Sequence, residues 1–340
     1  MIVHESMLDA NQMRFICLKS EKYVLLVGCV KSGKTICLLH KCKQLLANNP
    51  HAEVLWLTPY SLYKSFLGLA FKKLGIKCKL ETINEFLKND NKNYDYVFVD
   101  EASFLTEGQL LKIASVTTKS LVLSITEGDI LPAYFFKDDE KGIDAEIIST
   151  HFGITPQCLF FMHVNNGTKK LISKLYEDKA IVSECIVDNY LHNCRCKEIT
   201  NGESVEEFMM RCIVHRNEDN VGIIYFTNDE VSESYRKFKE LKYKVECKYS
   251  CAIGLKNNIN FDTTLPKLLT IHSSVGISFD IVYIVLNERV ACNIEGYRDL
   301  IAYALTRGLH DVVIVSNSSL PQIIKDNTTP IYDGNVILEI

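Results

Sequence analysis

The chain lacks the patterns that mark zinc-binding, secreted and membrane-spanning proteins. Its 13 cysteines include no C-x-x-C pair and no Cys/His set with zinc-finger spacing. No apolar run approaches the ~18 residues of a membrane span, and the first residues show no basic segment followed by an apolar one. We therefore expect reduced thiols, a cytoplasmic location and no membrane partner.

Arginine is scarce, and neither sign of charge dominates. Eight arginines accompany 30 lysines, and 38 basic residues stand against 42 acidic ones, for a formal net charge of −4. This balance excludes a polycation that coats nucleic acid with its whole surface. Hydrophobic residues make up 47% of the 340 positions, which is typical of a globular chain. At ~150 residues per domain, the length predicts two domains.

Short apolar runs alternate with segments of helical spacing, which predicts doubly wound α/β structure. In the first half the predicted strands are Tyr23–Val27, Val54–Leu57, Tyr96–Val99 and Ser120–Leu123. The pattern restarts with predicted strands at Val221–Phe226, Leu268–Ile271, Ile281–Val285 and Val312–Val315. Strand signals are weak between residues 137 and 157, so we predict domains at residues 1–150 and 151–340.

One segment fits the phosphate-loop pattern G-x-x-x-x-G-K-[ST]. It runs from Gly28 to Thr35, after an apolar strand and before a helix. In such a loop, backbone N–H groups and the helix N-terminus hold the phosphates. The lysine reaches the terminal phosphates, and the hydroxyl after it binds Mg²⁺. The pattern predicts a nucleotide site that includes Gly28, Ser32, Gly33, Lys34 and Thr35.

A second strand ends in two carboxylates, Asp100 and Glu101. In phosphate-loop enzymes such a strand holds Mg²⁺ and orients the attacking water. We therefore predict that Asp100 binds the metal with Thr35 and that Glu101 acts on the water. The alternative is that the pair only caps the turn that follows, at Ala102–Ser103.

Several segments resemble, in order and over nearly the whole chain, the motifs of superfamily 1 helicases of the UvrD type. They are Leu8–Gln12, Gly28–Thr35, Thr58–Pro59, Thr82–Leu87, Asp100–Glu101, Thr270–Asp280 and Tyr303–Arg307. The resemblance implies an α/β fold of two tandem RecA-like domains with parallel sheets. It also implies ATP hydrolysis with Mg²⁺ between the two domains, coupled to movement along single-stranded nucleic acid, with DNA favoured over RNA.

The same resemblance implies roles for individual residues. Gln12 would read the adenine base, and Arg307, at the start of a predicted helix, would stabilise transition-state charge at the γ-phosphate. The implied catalytic residues are Lys34, Asp100, Glu101 and Arg307. The implied nucleic-acid contacts are Thr58, Tyr60, Thr82, Tyr134, Phe135 and His272.

Two motifs of that family are incomplete in this chain, and a third, Thr270–Asp280, has Val275 and Ser278 where the family has lysine and glutamate. In Gly128–Pro132 a proline stands where the family's G-D-x-x-Q segment has glutamine. The N-Y-R segment has two possible counterparts, Asn165–Gly167 and Asn193–Cys196. Position favours the first, and the second would make Arg195 a further arginine finger.

The spacing of the motifs predicts a motor without large accessory domains. Only about forty residues separate Thr58 from Asp100, and a similar number separates Phe226 from Thr270, whereas a compact domain usually needs ~50 or more. A motor of this kind would leave strand separation or recruitment to a protein partner.

Two other classes of function remain open. A nucleotide-dependent switch with a helicase fold would regulate a partner protein rather than unwind, and the incomplete G-D-x-x-Q segment favours it. A phosphate-loop kinase for a small molecule would need neither Arg307 nor the Thr270–Asp280 segment. Stimulation of ATP hydrolysis by single-stranded nucleic acid separates the motor from the switch.

Overall fold

The structure is a computed structural model that describes residues 5–19, 21–89, 92–126, 142–176, 194–200, 202–252 and 254–331. The chain divides into two compact units, Met1–Met162 and His163–Ile340. Each unit is an α/β structure built on a mostly parallel sheet. The predicted α/β class with two sheets of mostly parallel strands is therefore confirmed, and it is consistent with tandem RecA-like domains.

The first unit is built on a sheet whose described strands are all parallel. They are β1 (Tyr23–Gly28), β2 (Val54–Thr58), β3 (Lys79–Thr82), β4 (Tyr94–Val99), β5 (Thr117–Thr126) and β6 (Gln157–Leu159). Their order is β3-β2-β4-β5-β1-β6. The helices are α1 (Ala10–Cys17), α2 (Lys34–Asn48), α3 (Ser61–Leu74), α4 (Ile83–Asn89), α5 (Glu107–Ser115) and α6 (Ala145–Phe152).

The second unit has a larger sheet with one antiparallel edge. Its strands are β7 (Cys194–Glu198), β8 (Val221–Tyr225), β9 (Glu246–Cys251), β10 (Gly254–Asn257), β11 (Lys267–Thr270), β12 (Phe279–Leu286), β13 (Gly308–Ser316) and β14 (Thr329–Pro330). Their order is β10-β9-β11-β8-β12-β13-β7-β14, and β10 runs antiparallel to β9. The helices are α7 (Asn166–Leu175), α8 (Val205–Arg216), α9 (Asn228–Glu240), α10 (Glu288–Ala291), α11 (Arg298–Leu305) and α12 (Gln322–Asn327).

The first unit extends beyond the predicted boundary at residue 150. That boundary falls inside α6, and the unit ends at Met162. The extension follows from β6, which pairs in parallel with β1 and places Leu26 opposite Gln157. A strand of three residues carries too little alternation or apolar length to be recognised in the sequence.

Parallel pairing brings the carboxyl ends of the first unit's strands to one edge. Gly28 of β1 lies opposite Thr126 of β5, and Thr58 of β2 lies opposite Thr82 of β3. Open α/β sheets bind their ligands outside this edge. The phosphate-loop segment follows β1 directly, so the fold places it where a ligand is expected.

Each unit has its own hydrophobic core. Leu25, Val97 and Leu121 are buried in the first unit, and Ile223 and Val313 are buried in the second. Burial on both faces explains why these strands are continuous apolar runs in the sequence. None of the helices in the described part of the chain is both long and apolar enough to cross a membrane.

Candidate nucleotide-binding site

The segment between β1 and α2 forms a tight loop. Lys31 and Gly33 adopt φ angles of 65° and 86°, and the Ser32 N–H donates to Cys29 O at 3.2 Å. A Cβ added to Gly28 would lie 2.4 Å from Ser32 Oγ, so a side chain there would displace the hydroxyl. The chain therefore folds back between strand and helix, as a loop that encloses an anion must.

The groups gathered in this loop fit a polyphosphate. Lys34 Nζ donates to Gly28 O at 3.0 Å and to Cys29 O at 2.8 Å. Ser32 Oγ is buried and has no hydrogen-bond partner among the described residues. Gly33, the N-cap residue of α2, has no side chain that could cap the helix, so among the described residues the N–H groups of its first turn remain open. An ammonium group, an unpartnered hydroxyl and a helix N-terminus together suit an anion.

Gln12, predicted to read adenine, lies against the same loop. Its Nε2 donates to Ser32 O at 3.0 Å, and its Oε1 accepts from the Asp9 N–H at 3.0 Å. A Cβ added to Gly33 would lie 2.3 Å from Gln12 Nε2. The side chain of Gln12 thus packs on the phosphate-loop segment, and its contact with a base stays a prediction.

Asp100 and Glu101 follow β4, and two hydroxyl groups of β5 hold them. Ser124 Oγ donates to Asp100 Oδ1 at 2.6 Å, and Thr126 Oγ1 donates to Glu101 Oε2 at 2.8 Å. Glu101 has φ 58° and ψ 53° and makes no side-chain hydrogen bond to cap the 3₁₀ turn Ala102–Phe104. The strained conformation is of a kind that clusters at functional sites, so the geometry does not favour a capping role alone.

Tyr63 of α3 joins the loop to the carboxylates. Its hydroxyl donates to Asp100 Oδ2 and lies 2.9 Å from Thr35 Oγ1. Burial, followed by the charges of Asp100 and Glu101, raises the pKa of Tyr63 well above its usual value of 10. The phenol therefore stays protonated at neutral pH and acts as a donor.

The predicted metal ligands fit Mg²⁺ chemically. Thr35 and Asp100 provide a hydroxyl and a carboxylate, the hard oxygen donors that Mg²⁺ prefers. Both are linked through the single hydroxyl of Tyr63. Since nucleotide phosphates usually supply further oxygen ligands to Mg²⁺, two protein ligands are enough for such a site.

Arg307 lies in the second unit between α11 and β13, and the expectation that it starts a helix was wrong. The apolar run before it forms the last turn of α11, so the arginine falls on the segment after the helix. Its Nη1 donates to Ile277 O at 3.2 Å and its Nη2 to Thr306 Oγ1 at 2.9 Å. Its guanidinium lies 4.2 Å from the centre of the Tyr303 ring, and its contact with a phosphate stays a prediction.

The described residues of the predicted nucleic-acid track differ in exposure. His272, just after β11, is exposed, and Tyr60 is half-buried. Thr58 is fully buried, and Thr82 is 6% exposed. The Thr82 hydroxyl accepts from the Glu85 N–H at 3.2 Å at the start of α4. His272 and Tyr60 therefore have surface for a nucleic acid in this conformation, whereas the two threonines are packed inside.

Some predictions fall outside the described residues. These are the proposed stacking residues Tyr134 and Phe135, the segment Gly128–Pro132, and Asn193. The other counterpart of the N-Y-R segment is described: Asn165 caps α7 by accepting from the Thr168 N–H.

The structure adds three residues that the sequence motifs did not indicate, namely Tyr63, Ser124 and Thr126. Ser124 and Thr126 alternate with apolar residues at the end of β5, and that alternation is a signal that could have been used. Tyr63 has no such signal, because it occupies an apolar position in the helical pattern of α3.

Comparison with known proteins adds a remote structural likeness. No protein-family model and no curated protein matches the chain. Its structure is similar to the crystal structure of arterivirus nonstructural protein 10, a helicase, with a TM-score of 0.45 and 13% sequence identity. The alignment covers 94% of this chain and 63% of that chain. The assignment of the fold rests on the sheet order and on the loop after β1.

Proposed function

We propose that the chain is an ATP hydrolase of the superfamily 1 helicase kind, a motor that moves on single-stranded nucleic acid, with DNA favoured. The proposal rests mainly on one observation: the phosphate-loop residues and the two carboxylates lie at the same edge of the first sheet. Lys34 and Thr35 follow β1, Asp100 and Glu101 follow β4, and Tyr63 bridges them. Phosphoryl transfer needs this combination of phosphate binding, metal ligands and a water-orienting carboxylate.

Each group in the proposed site has a distinct task. Lys34 places positive charge beside the terminal phosphates, and the loop amides bind them. Glu101, held by Thr126 Oγ1, orients the attacking water. Bound Mg²⁺, held by Thr35 and Asp100, would neutralise charge on the phosphate oxygens. We assign to Arg307 the stabilisation of transition-state charge, a role that accelerates related reactions by 10³–10⁵.

In the proposed motor, nucleic acid binds to surface residues that follow the carboxyl ends of the sheet strands. Tyr60 offers an aromatic ring on which a base could stack, a contact worth about 1–3 kcal/mol. His272 offers a polar contact beside β11. The UvrD-type assignment and any protein partner are parts of the proposal that rest on the sequence motifs alone.

The test is ATP hydrolysis measured with and without single-stranded DNA and RNA. We expect one polymer to stimulate phosphate release at least several-fold. Lys34→Ala should lower the stimulated rate by at least ~100-fold, as losses of preorganised charge do. The control is Lys43→Ala, which changes an exposed lysine of the same helix. A Lys34→Ala protein with normal turnover would disprove the proposed site.

The proposed role of Arg307 is tested by a second pair of variants. Arg307→Ala should keep nucleotide affinity within a few-fold and lose ~10³ in turnover, because the proposed contact forms in the transition state. Arg236→Ala is the matched control, since that arginine pairs with Glu240 on the exposed face of α9. Near-normal turnover of Arg307→Ala would remove Arg307 from the mechanism.

The second candidate is a nucleotide-dependent switch that regulates a partner protein. It is favoured by the contacts of Arg307, which is 4% exposed and hydrogen-bonded to Ile277 O and Thr306 Oγ1. An arginine that is buried and hydrogen-bonded in this way suits a protein that hydrolyses ATP slowly. A switch would hydrolyse ATP at a low rate that neither single-stranded DNA nor RNA changes, so the assay above distinguishes the two functions.

A further inference from the structure

We infer that Tyr63 is a positioning residue of the magnesium site: its hydroxyl holds Asp100 and directs the hydrogen of the Thr35 hydroxyl away from the metal. The inference rests on the proposed function and concerns the same site. Tyr63 is fully buried on α3, and its oxygen lies between Thr35 Oγ1 and Asp100 Oδ2.

Counting hydrogens fixes the direction of the bonds. A phenol has one hydrogen to donate, and the hydroxyl of Tyr63 donates it to Asp100 Oδ2. In the contact with Thr35 at 2.9 Å, the phenol oxygen must therefore accept. Thr35 then donates its own hydrogen to Tyr63, which leaves the lone pairs of Thr35 Oγ1 available for a metal ion.

The carboxylate is fixed from both sides by the same arrangement. Asp100 Oδ1 accepts from Ser124 Oγ at 2.6 Å, and Oδ2 accepts from Tyr63. Two donors from different elements, β5 and α3, stop the carboxylate from rotating. Partners that orient metal ligands in this way typically contribute 10- to 100-fold in metal affinity.

The experiment measures binding of a fluorescent ATP analogue rather than turnover. The analogue is titrated into the full chain in EDTA and then in increasing Mg²⁺. For the wild type we expect Mg²⁺ to strengthen binding. For Tyr63→Phe, which keeps the ring, we expect the affinity for the analogue in EDTA to stay within about twofold of the wild-type affinity. We expect the Mg²⁺ midpoint, which is the Mg²⁺ concentration that gives half of the increase in affinity, to rise ~10-fold or more.

The control removes an equivalent hydroxyl elsewhere. Tyr225 of β8 is also buried, and its hydroxyl bonds to Ser234 Oγ within the second unit. Tyr225→Phe should leave the Mg²⁺ midpoint unchanged. Thermal melting of both variants, recorded by circular dichroism, checks that each is folded under the conditions of the titration.

A double variant separates positioning from a general packing effect. Thr35→Ala should itself raise the Mg²⁺ midpoint. Adding Tyr63→Phe should raise it by less than the sum of the two single effects, because both changes disturb one hydrogen-bonded pair. Independent effects that add fully would contradict the inference.

Failures of the inference and of the proposed function differ in outcome. If the wild type responds to Mg²⁺ and Tyr63→Phe has the same midpoint, the inference is wrong and the proposed function stands. A lower midpoint in Tyr63→Phe would also overturn the inference, since the hydroxyl would then compete with the metal. A wild type that binds no nucleotide would overturn the proposed function and with it the inference.

Discussion

Replacement of Gly33, compared with replacement of Gly75, distinguishes the effect of backbone strain on stability from an effect on the nucleotide site. It has a φ of 86°, and a Cβ there would come 2.3 Å from Gln12 Nε2. Gly75, after α3, has a φ of 70°, and no atom of the described residues lies within 4 Å of an added Cβ. Each Gly→Ala change should cost about 1–2 kcal/mol of unfolding free energy, because alanine resists the left-handed conformation.

Only Gly33→Ala should also reduce nucleotide affinity, because its methyl group displaces Gln12 from the phosphate-loop segment. Urea unfolding gives the stability of the two variants, and titration with a fluorescent nucleotide gives their affinity. Equal affinities for Gly33→Ala and Gly75→Ala would show that the contact between Gln12 and the loop is dispensable for binding.

The sequence predicts candidate site residues that belong to a local pattern and does not predict those that depend on packing. Lys34 could be predicted because it lies at the end of a recognisable loop pattern after a buried strand, and Asp100 because it directly follows one. Tyr63 could not, because its hydroxyl reaches Asp100 only through the way α3 packs near the end of β4. In the sequence it is one more apolar position of a helix.

Among the elements, the link between α1 and α2 supports the nucleotide site. Lys41 of α2 is 2% exposed, and its Nζ donates to Phe15 O at 3.2 Å and Leu18 O at 2.8 Å at the C-terminal end of α1. Lys41→Met would remove the ammonium donor from both carbonyl groups, of which Phe15 O would keep the Leu18 N–H. We expect a loss of about 1–3 kcal/mol in unfolding free energy and weaker nucleotide binding, since α1 carries Gln12.

The exposed lysine at position 43 is the control for this change, because it lies on the same helix. Lys43→Met should alter neither the urea midpoint nor the affinity for nucleotide. If Lys41→Met loses stability but binds nucleotide normally, α1 is held in place by other contacts, among them its packing on α2.

The start of α4 makes stability depend on pH. The Lys64 ammonium at 2.8 Å, with the Thr82 N–H, lowers the pKa of Glu85 from 4.5 to about 2. A lowered folded-state pKa means that the stabilisation is complete above pH 4.5 and is lost as the pH falls towards 2. Because Glu85 is 45% exposed, Glu85→Gln should cost under ~1 kcal/mol at pH 7.

The difference in unfolding free energy between wild type and Glu85→Gln, measured by urea unfolding, should therefore become smaller as the pH falls from 6 to 3. In a Lys64→Met background the same difference should be smaller at pH 6, since the main cause of the pKa shift is gone. A difference that does not change with pH would mean that the Glu85 carboxylate is not bonded to Lys64 in solution.

The strands and helices also differ in how well the sequence predicts them. β1, β4, β8 and β12 were predictable, because buried parallel strands are continuous apolar runs. β7 was not predicted: its residues Cys194–Glu198 alternate between cysteine and charged or polar side chains, yet it pairs between β13 and β14. Its strand conformation is imposed by its neighbours, a tertiary effect that overrides local preference.

For the whole molecule, the division into two units has a direct consequence. Residues 1–162 contain a complete sheet, a core and the whole phosphate-loop segment with Asp100 and Glu101. A unit of this size normally folds alone. We expect fragment 1–162 to unfold cooperatively in urea and to bind nucleotide with Mg²⁺ within about tenfold of the full chain. Saturating nucleotide, at 100 times Kd, should stabilise it by about 2.7 kcal/mol.

The same fragment should hydrolyse ATP at least ~10³-fold more slowly than the full chain, because it lacks the arginine to which we assign transition-state stabilisation. Phosphate release from fragment 1–162, from the same fragment with Lys34→Ala and from the full chain with Arg307→Ala provides the measurement. The first and third proteins should be similarly slow while still binding nucleotide, and the second should not bind it. A fragment 1–162 that turns over at the rate of the full chain would mean that all catalytic groups lie in the first unit, and Arg307 would then have no part in hydrolysis.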